Sequence, residues 1–244
     1  MEQIISVITI CYNSELSIER TIKSVLSQTY PNIEYIIIDG KSSDGTNTII
    51  QKYQDNISKY ISEEDSGIYN AMNKGLTMAI GEWVCFMNAG DVFVDNQTVE
   101  RVFFTPIKNN VDVIYGYTFC NNKRMELDPF FMKKRKSFSM GFCHQSTFVR
   151  AALPKSIGFD EKYKIAADYN MIYTIYKQGK TFYNSNTDIS IFDNTGISSL
   201  KSIPLLKEVA NIIREEDSIL FYKEYVKILV KYIGRKLIYI LRSK

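Results

Sequence analysis

Two apolar runs near the amino terminus each lead into a carboxylate. Tyr35-Ile36-Ile37-Ile38 stops at Asp39, and Trp83-Val84-Cys85-Phe86-Met87 passes through Asn88-Ala89-Gly90 to Asp91. Short continuous apolar runs read as buried strands, and the ligand crevice of a parallel α/β sheet lies beyond the carboxyl ends of its strands. Both acids are therefore expected at one site. A carboxylate placed there can accept the imide N–H of a base or the hydroxyls of a ribose, or hold a hard cation against phosphate oxygens. Two further segments carry reactive types: the sole histidine, His144, followed by Gln145, and Asp168 in Ala166-Ala167-Asp168-Tyr169. By spacing alone Asp168 reads as the N-cap of the apolar helical pattern that follows it.

The elements that must position these groups alternate. Ile4 to Ile10 reads as a strand, and Leu16, Ile18, Ile22, Val25 and Leu26 recur at helical spacing before the strand that ends at Asp39. Thr46 to Tyr53 reads as a helix, with Asp44 shaping its own loop and capping it. A short strand near Tyr60-Ile61 and a helix from Ile68 to Ile80 follow, and Gly81 is expected to stop that helix. Strand and helix alternate through residue 104, the signature of an open, mostly parallel sheet. Beyond it, Val111 to Phe119 and Met125 to Leu127 read as strands joined by a turn over 121–124. Asp168 to Gln178 reads as a helix and Thr181 to Phe192 as an edge strand, so mixed topology is expected there.

Composition sets the outer bounds. The chain has 244 residues, 45% of them hydrophobic, which suffices for one sizeable core with an appendage. Cys11, Cys85, Cys120 and Cys143 stand far apart and read as reduced core thiols of a cytoplasmic protein, and no export signal precedes the first strand. Residues 219–244 hold seven basic residues and one acid, a net +6, against 23 basic and 26 acidic residues elsewhere, a net −3. Lys223, Lys227, Lys231 and Arg235 recur every four residues, opposite Val226, Leu229, Val230, Ile233, Leu237 and Ile240. Such a basic amphipathic helix fits an anionic membrane surface; the alternative is packing against the protein body or a second subunit. No nucleic-acid partner is expected. Lys133-Lys134-Arg135-Lys136 reads as a solvated loop.

No Gly-x-Gly-x-x-Gly follows the first strand, and no Gly-x-x-x-x-Gly-Lys-[Ser/Thr] occurs anywhere. Ordinary dinucleotide and P-loop chemistry therefore lose their main support. A crevice with carboxylates suits a nucleotide bound through its base.

Across roughly residues 3–195, the ordered segments ISVITICYN, IIIDGKSSDGT, DSGIYNAMNKG, GEWVCFMNAGD, GFCHQSTFVR and AADY resemble the family-two inverting glycosyltransferases of the GT-A fold. The resemblance implies a mixed, mostly parallel α/β sheet flanked by helices. The catalytic domain would span 1–195, with a donor half over about 1–104 and an acceptor half over about 105–195, followed by a helical extension over 196–244 with its amphipathic tail. It implies transfer of a sugar, with inversion, from a nucleotide-sugar (a UDP-sugar by the carboxylate at the base) to a hydroxyl of a lipid-linked or surface-polysaccharide oligosaccharide, helped by Mg²⁺ or Mn²⁺. By position, Asp39 matches the acid that recognises the donor base, with Thr9 and Asn13 flanking it. Asp65, Asn73 and Lys74 fall in the segment that lines the donor pocket, although Asn73 and Lys74 also read as the polar face of a helix. Asp91 matches the metal-binding acid, Asp168 the catalytic base, and His144 and Gln145 the acceptor and phosphate side. Where relatives carry two or three acids, this chain reads Asn88-Ala89-Gly90-Asp91, with one. One carboxylate with phosphate oxygens and water is enough for magnesium; the thinner element also fits a degenerate module that binds a nucleotide-sugar or a partner without catalysis. The tail would place the enzyme on the inner face of the cytoplasmic membrane.

Overall fold

The computed structural model describes residues 3–104, 107, 110–127, 141–193, 203–214, 218–219 and 221–230. The loop at 133–136 and the tail beyond 230 lie outside the described residues.

Strand β1 (Ile5–Cys11) is buried along its whole length, as a continuous apolar run in a parallel sheet must be. It pairs in parallel with β2 (Ile33–Asp39), in the register Ile5↔Ile33 to Cys11↔Asp39, and with β4 (Trp83–Phe86). β3 (Lys59–Ser62) adds a parallel edge beside β2. Helices α1 (Ile18–Leu26), α2 (Thr46–Gln51) and α3 (Ile68–Met78) make the crossovers. Beyond β4 the direction alternates: β8 (Thr147–Arg150) pairs antiparallel with β4 and with β6 (Val113–Cys120), β9 (Phe182–Ile191) runs parallel to β6, and β5 (Val92–Phe93) pairs antiparallel with β9. The order is β3-β2-β1-β4-β8-β6-β9-β5.

The alternation of side chains divides the core into two layers. Ile8, Ile10, Ile36 and Ile38 face α3, α6 (Ala167–Lys177) and α7 (Ile203–Ile213). Val7, Cys11, Tyr35 and Ile37 face α1 and α4 (Thr98–Phe103). Each fully buried isoleucine contributes about 1.5–3 kcal/mol of transfer free energy, and Ile8, Ile36, Ile37 and Ile38 are all at 0% exposure.

Several expectations need correction. Thr181 to Phe192 is not an edge, because β9 lies between β6 and β5. The hairpin partner of β6 is β7 (Lys123–Arg124), not 125–127: Asn121 and Asn122 both have positive φ (50° and 58°), which closes a two-residue turn. Gly81 does not end α3, which stops at Met78. It is glycine because a Cβ there would meet the Ile4 carbonyl oxygen and the Ser6 nitrogen at 2.7 Å. The helix expected over 46–53 ends at Gln51, and its N-cap is Gly45; Asp44 instead shapes the loop before it, accepting the Thr46 N–H at 3.0 Å and the Glu15 N–H at 3.1 Å. The cysteines are free, with Cys11 and Cys85 buried.

Candidate active site

The carboxyl ends of β1 and β4 open into a cleft of ≈ 450 Å³, within the range of small-molecule sites. Tyr12 and Ser14 line it after β1, and Asp65, Ile68 and Tyr69 line it around the start of α3. Asn88 and Asp91 follow β4, His144 and Gln145 precede β8, and Lys164, Ile165 and Asp168 come from the start of α6. Asp193 closes the cleft after β9.

On one side Asp168 is gripped from several elements. Its Oδ2 lies 3.0 Å from His144 Nδ1, while its Oδ1 accepts the Tyr69 hydroxyl at 3.2 Å and the Tyr169 N–H at 2.8 Å. Asp168 stands in the first turn of α6; the N-cap is Ala166, so the spacing-only reading of Asp168 as the cap is corrected. Burial alone would raise the Asp168 carboxyl, but the His144 hydrogen bond and charge outweigh it and hold the group below the usual carboxylate range. Burial likewise opposes the charged form of His144, and Asp168 overrides it, raising the imidazole. His144 Nε2 lies 3.4 Å from Asn88 Nδ2. This network assigns a proton to Nδ1, donating to Asp168.

On the other side Asp91 is 3% exposed. Its Oδ1 accepts the Asp193 N–H at 2.8 Å and its Oδ2 the Gln145 amide at 3.1 Å. Burial pushes its carboxyl up to about 6, with those two hydrogen bonds and His144 opposing and the Asp193 charge adding to the rise. Gly90 has φ 102°, and a Cβ there would meet Asp193 Oδ2 at 2.6 Å, so this turn needs glycine on both counts. Arg20 pairs with the Asp193 carboxylate.

The oxygen donors present fit a hard divalent cation. Among the described residues, Asn88 Oδ1 is the buried side-chain oxygen without a hydrogen-bond partner, and it lines the cleft together with Asp91. No cluster of three or more His, Cys, Asp or Glu side chains suited to a metal occurs among the described residues. A cation held by Asn88 and Asp91 would therefore complete its shell with ligand phosphates and water.

The remaining expected residues are placed differently. Asp65 lines the cleft and accepts the Gly67 N–H at 2.9 Å. Asp39 is fully buried, with its carboxylate turned onto the Ser42 N–H (3.0 Å), the Ser42 hydroxyl and the Ser62 hydroxyl (2.6 Å). Thr9 is also buried, donating to the Met87 carbonyl at 2.7 Å. Asn13, at φ 46°, accepts the Ser43 N–H and ties the first-strand loop to the next one. Asn73 exchanges bonds with the Phe159 backbone at 2.9 and 2.7 Å, and Lys74 pairs with Glu63. Thr9, Asn13, Asp39, Asn73 and Lys74 are not among the lining residues. Several lining residues were not singled out in the sequence, among them Tyr12, Tyr69, Lys164, Ile165 and Asp193. Tyr12 follows a strand end and could have been found by that rule; Tyr69 and Asp193 carry no local signal.

The family profile described as "Glycosyl transferase family 2" matches residues 6–142. The chain belongs to this family. Among its relatives, a PGL/p-HBAD biosynthesis glycosyltransferase of Mycobacterium bovis is 30% identical over 152 residues, covering 60% of this chain and 59% of that protein. The chain thus spans about three fifths of the length of that relative. Among solved structures, S. aureus TarS 1-349 in complex with UDP-GlcNAc superposes with a TM-score of 0.69 at 21% identity, covering 95% of this chain and 72% of that one. Glucosyl-3-phosphoglycerate synthase from Mycobacterium tuberculosis, in complex with Mn²⁺, UDP and phosphoglyceric acid, superposes with a TM-score of 0.62 at 15% identity, covering 88% of this chain and 80% of that one. These likenesses establish the GT-A architecture of this family-2 chain: a mixed sheet flanked by helices.

Proposed function

We propose that this family-2 chain is an inverting glycosyltransferase that moves a sugar from a UDP-sugar to a hydroxyl of a lipid-linked or surface-polysaccharide oligosaccharide. The observation that carries the reading is one cleft lined by two adjoining groups, Asn88 with Asp91 and Asp168 with His144, which meet where Asn88 Nδ2 lies 3.4 Å from His144 Nε2.

Asp168 is the general base. The acceptor hydroxyl attacks the anomeric carbon, the new C–O bond forms as the bond from sugar to diphosphate breaks, and the hydroxyl proton passes to Asp168. His144 and Tyr69 hold the carboxylate ionised and oriented for that proton. Asn88 and Asp91 would hold Mg²⁺ or Mn²⁺, which when bound supplies charge neutralisation to the leaving diphosphate. Gln145 and the Asp193 N–H fix the Asp91 carboxylate.

Tyr12, 64% exposed at the mouth of the cleft, offers a ring face to a planar base. Asp39 recognises the base edge after an imide N–H displaces the Ser42 hydroxyl, with Thr9 and Asn13 fixing the loop beneath. Asp65 contacts the donor directly; Asn73 and Lys74 shape the wall behind it. The TarS complex with UDP-GlcNAc and the synthase complex with Mn²⁺ and UDP support the donor class and the metal by likeness of fold.

The tail lies on an anionic membrane surface, at the inner face of the cytoplasmic membrane. In the helix over 221–230, Phe221, Tyr225 and Ile228 pack on the core, while Val226 (55%), Leu229 (37%) and Val230 (62%) are exposed beside the exposed Lys223 and Lys227. No described helix is long and apolar enough to cross a membrane.

The test is release of nucleoside diphosphate from a panel of nucleotide-sugars, with and without Mn²⁺ and with membrane lipid extracts as acceptor source. Turnover of a UDP-sugar, stimulated by the metal and by extract, is the expected result. Donor binding with no turnover under any condition would leave a binding module instead.

A further inference from the structure

The segment matched to the family ends at residue 142, yet α7, far beyond it, supplies a side chain to the framework of the cleft. Glu208 Oε1 accepts the Lys164 N–H at 2.9 Å, and its Oε2 accepts the Ile165 and Ala166 N–H groups, each at 2.9 Å. A helix leaves its first amide donors without internal partners. Helix α6 has alanine at its N-cap and makes no side-chain capping bond of its own. Glu208 supplies acceptors to the amides leading into α6 and sets a negative charge near the positive end of its dipole.

The capped segment is functional wall. Lys164 and Ile165 line the cleft, and Asp168 lies in the first turn of α6. The strut itself is anchored. Leu206, Val209, Ala210 and Ile213 of α7 are buried in the core cluster that contains Ala166, Ala167, Met171 and Ile172. Tyr163 adds a second tie, its hydroxyl 3.3 Å from Asn211 Oδ1. Any shift of Glu208 relative to the sheet therefore moves the loop 164–166 and the first turn of α6 together.

We propose that Glu208 is a positioning residue: through three backbone hydrogen bonds it fixes the acceptor wall and the placement of Asp168, making α7 part of the catalytic apparatus. The inference rests on the reading of Asp168 as the base.

The full chain is compared with Glu208→Ala and with Glu208→Gln, which keeps the shape and one acceptor oxygen. Hydrogen exchange of the Lys164, Ile165 and Ala166 amides accelerates in Glu208→Ala and to a lesser degree in Glu208→Gln. Misplacement of the base lowers kcat for sugar transfer by about tenfold or more, while the donor KM stays within about twofold, because the donor groups lie on other elements. Glu208→Gln recovers part of the loss. Unchanged amide exchange, or a parallel loss in kcat and donor affinity that tracks melting temperature alone, overturns the proposal. Asp168→Asn separates the two ideas. If it keeps transfer, the base assignment fails whatever Glu208 does; if it abolishes transfer while Glu208→Ala keeps both kcat and amide protection, only the Glu208 proposal fails.

Discussion

His144 Nδ1 and Asp168 Oδ2 lie 3.0 Å apart, each less than a fifth exposed, at 18% and 17%. Each stabilises the charged form of the other against burial, which by itself would discharge both. A carboxylate held ionised in a cleft is the state in which it can take a proton.

Replacing His144 by Ala leaves burial of Asp168 unopposed on that side. The sign follows directly: the Asp168 pKa, below its ordinary 3.8 in the native pair, moves up. Its ionised, active form is then lost at a higher pH, so the acid limb of kcat shifts upward. A pH–rate profile with an unmoved acid limb would contradict the pairing, and Asp168→Asn should lose about 10²–10⁴-fold in kcat at every pH.

The Asn88 side-chain oxygen has no protein partner to lose. Asn88→Ala gives up only the long 3.4 Å contact of the amide nitrogen with His144 Nε2, so it is expected to lower the melting temperature slightly while weakening Mn²⁺ affinity in the presence of UDP. Electron paramagnetic resonance titration of free Mn²⁺ reads this directly. Asp91→Ala should weaken the metal further and also destabilise the fold, because the Gln145 amide and the Asp193 N–H lose their acceptor.

The Asp39 carboxylate separates stability from donor binding. Asp39→Ala leaves the half-buried Ser42 N–H without its acceptor, while the hydroxyl of the exposed Ser62 turns to water, at a cost of about 1–3 kcal/mol. Ser42→Ala removes the hydroxyl that competes with a base for Asp39, and with it the acceptor of the Asn13 N–H at 2.8 Å, a group exposed enough for water to satisfy, so donor affinity should hold or improve. A fall in affinity for Ser42→Ala, measured by calorimetry with UDP, would show that Asp39 serves its loop alone.

The exposed face of the 221–230 helix can be altered without touching its packing. Lys223→Glu with Lys227→Glu should release the protein from anionic liposomes and preserve donor hydrolysis, since both lysines are exposed. Val226→Asp with Val230→Asp should do the same through loss of the apolar contact. Cosedimentation equal to the native chain in both variants would argue for another role.

The sequence by itself determined most of the parallel sheet in the first hundred residues. Apolar runs, their turns and the strand-end rule located β1, β2 and β4, and they put Asp91 beside a cleft, because strand periodicity and crevice position are local consequences of chain chemistry. The ordered motifs located His144 and Asp168 as well. Tertiary structure alone decided which atoms meet. Tyr69 reaches Asp168 across 99 residues. Asp193 comes to Asp91 because β5 pairs with β9, in the register Val92↔Ile191. Glu208 holds the amides leading into α6 from another element. Asp39 ends β2 as foreseen but does not join Asp91 in lining the cleft, because its carboxylate is turned onto Ser42 and Ser62. Spacing along a chain fixes the direction of a side chain only to a face; its hydrogen-bond partners depend on packing between elements that are remote in sequence.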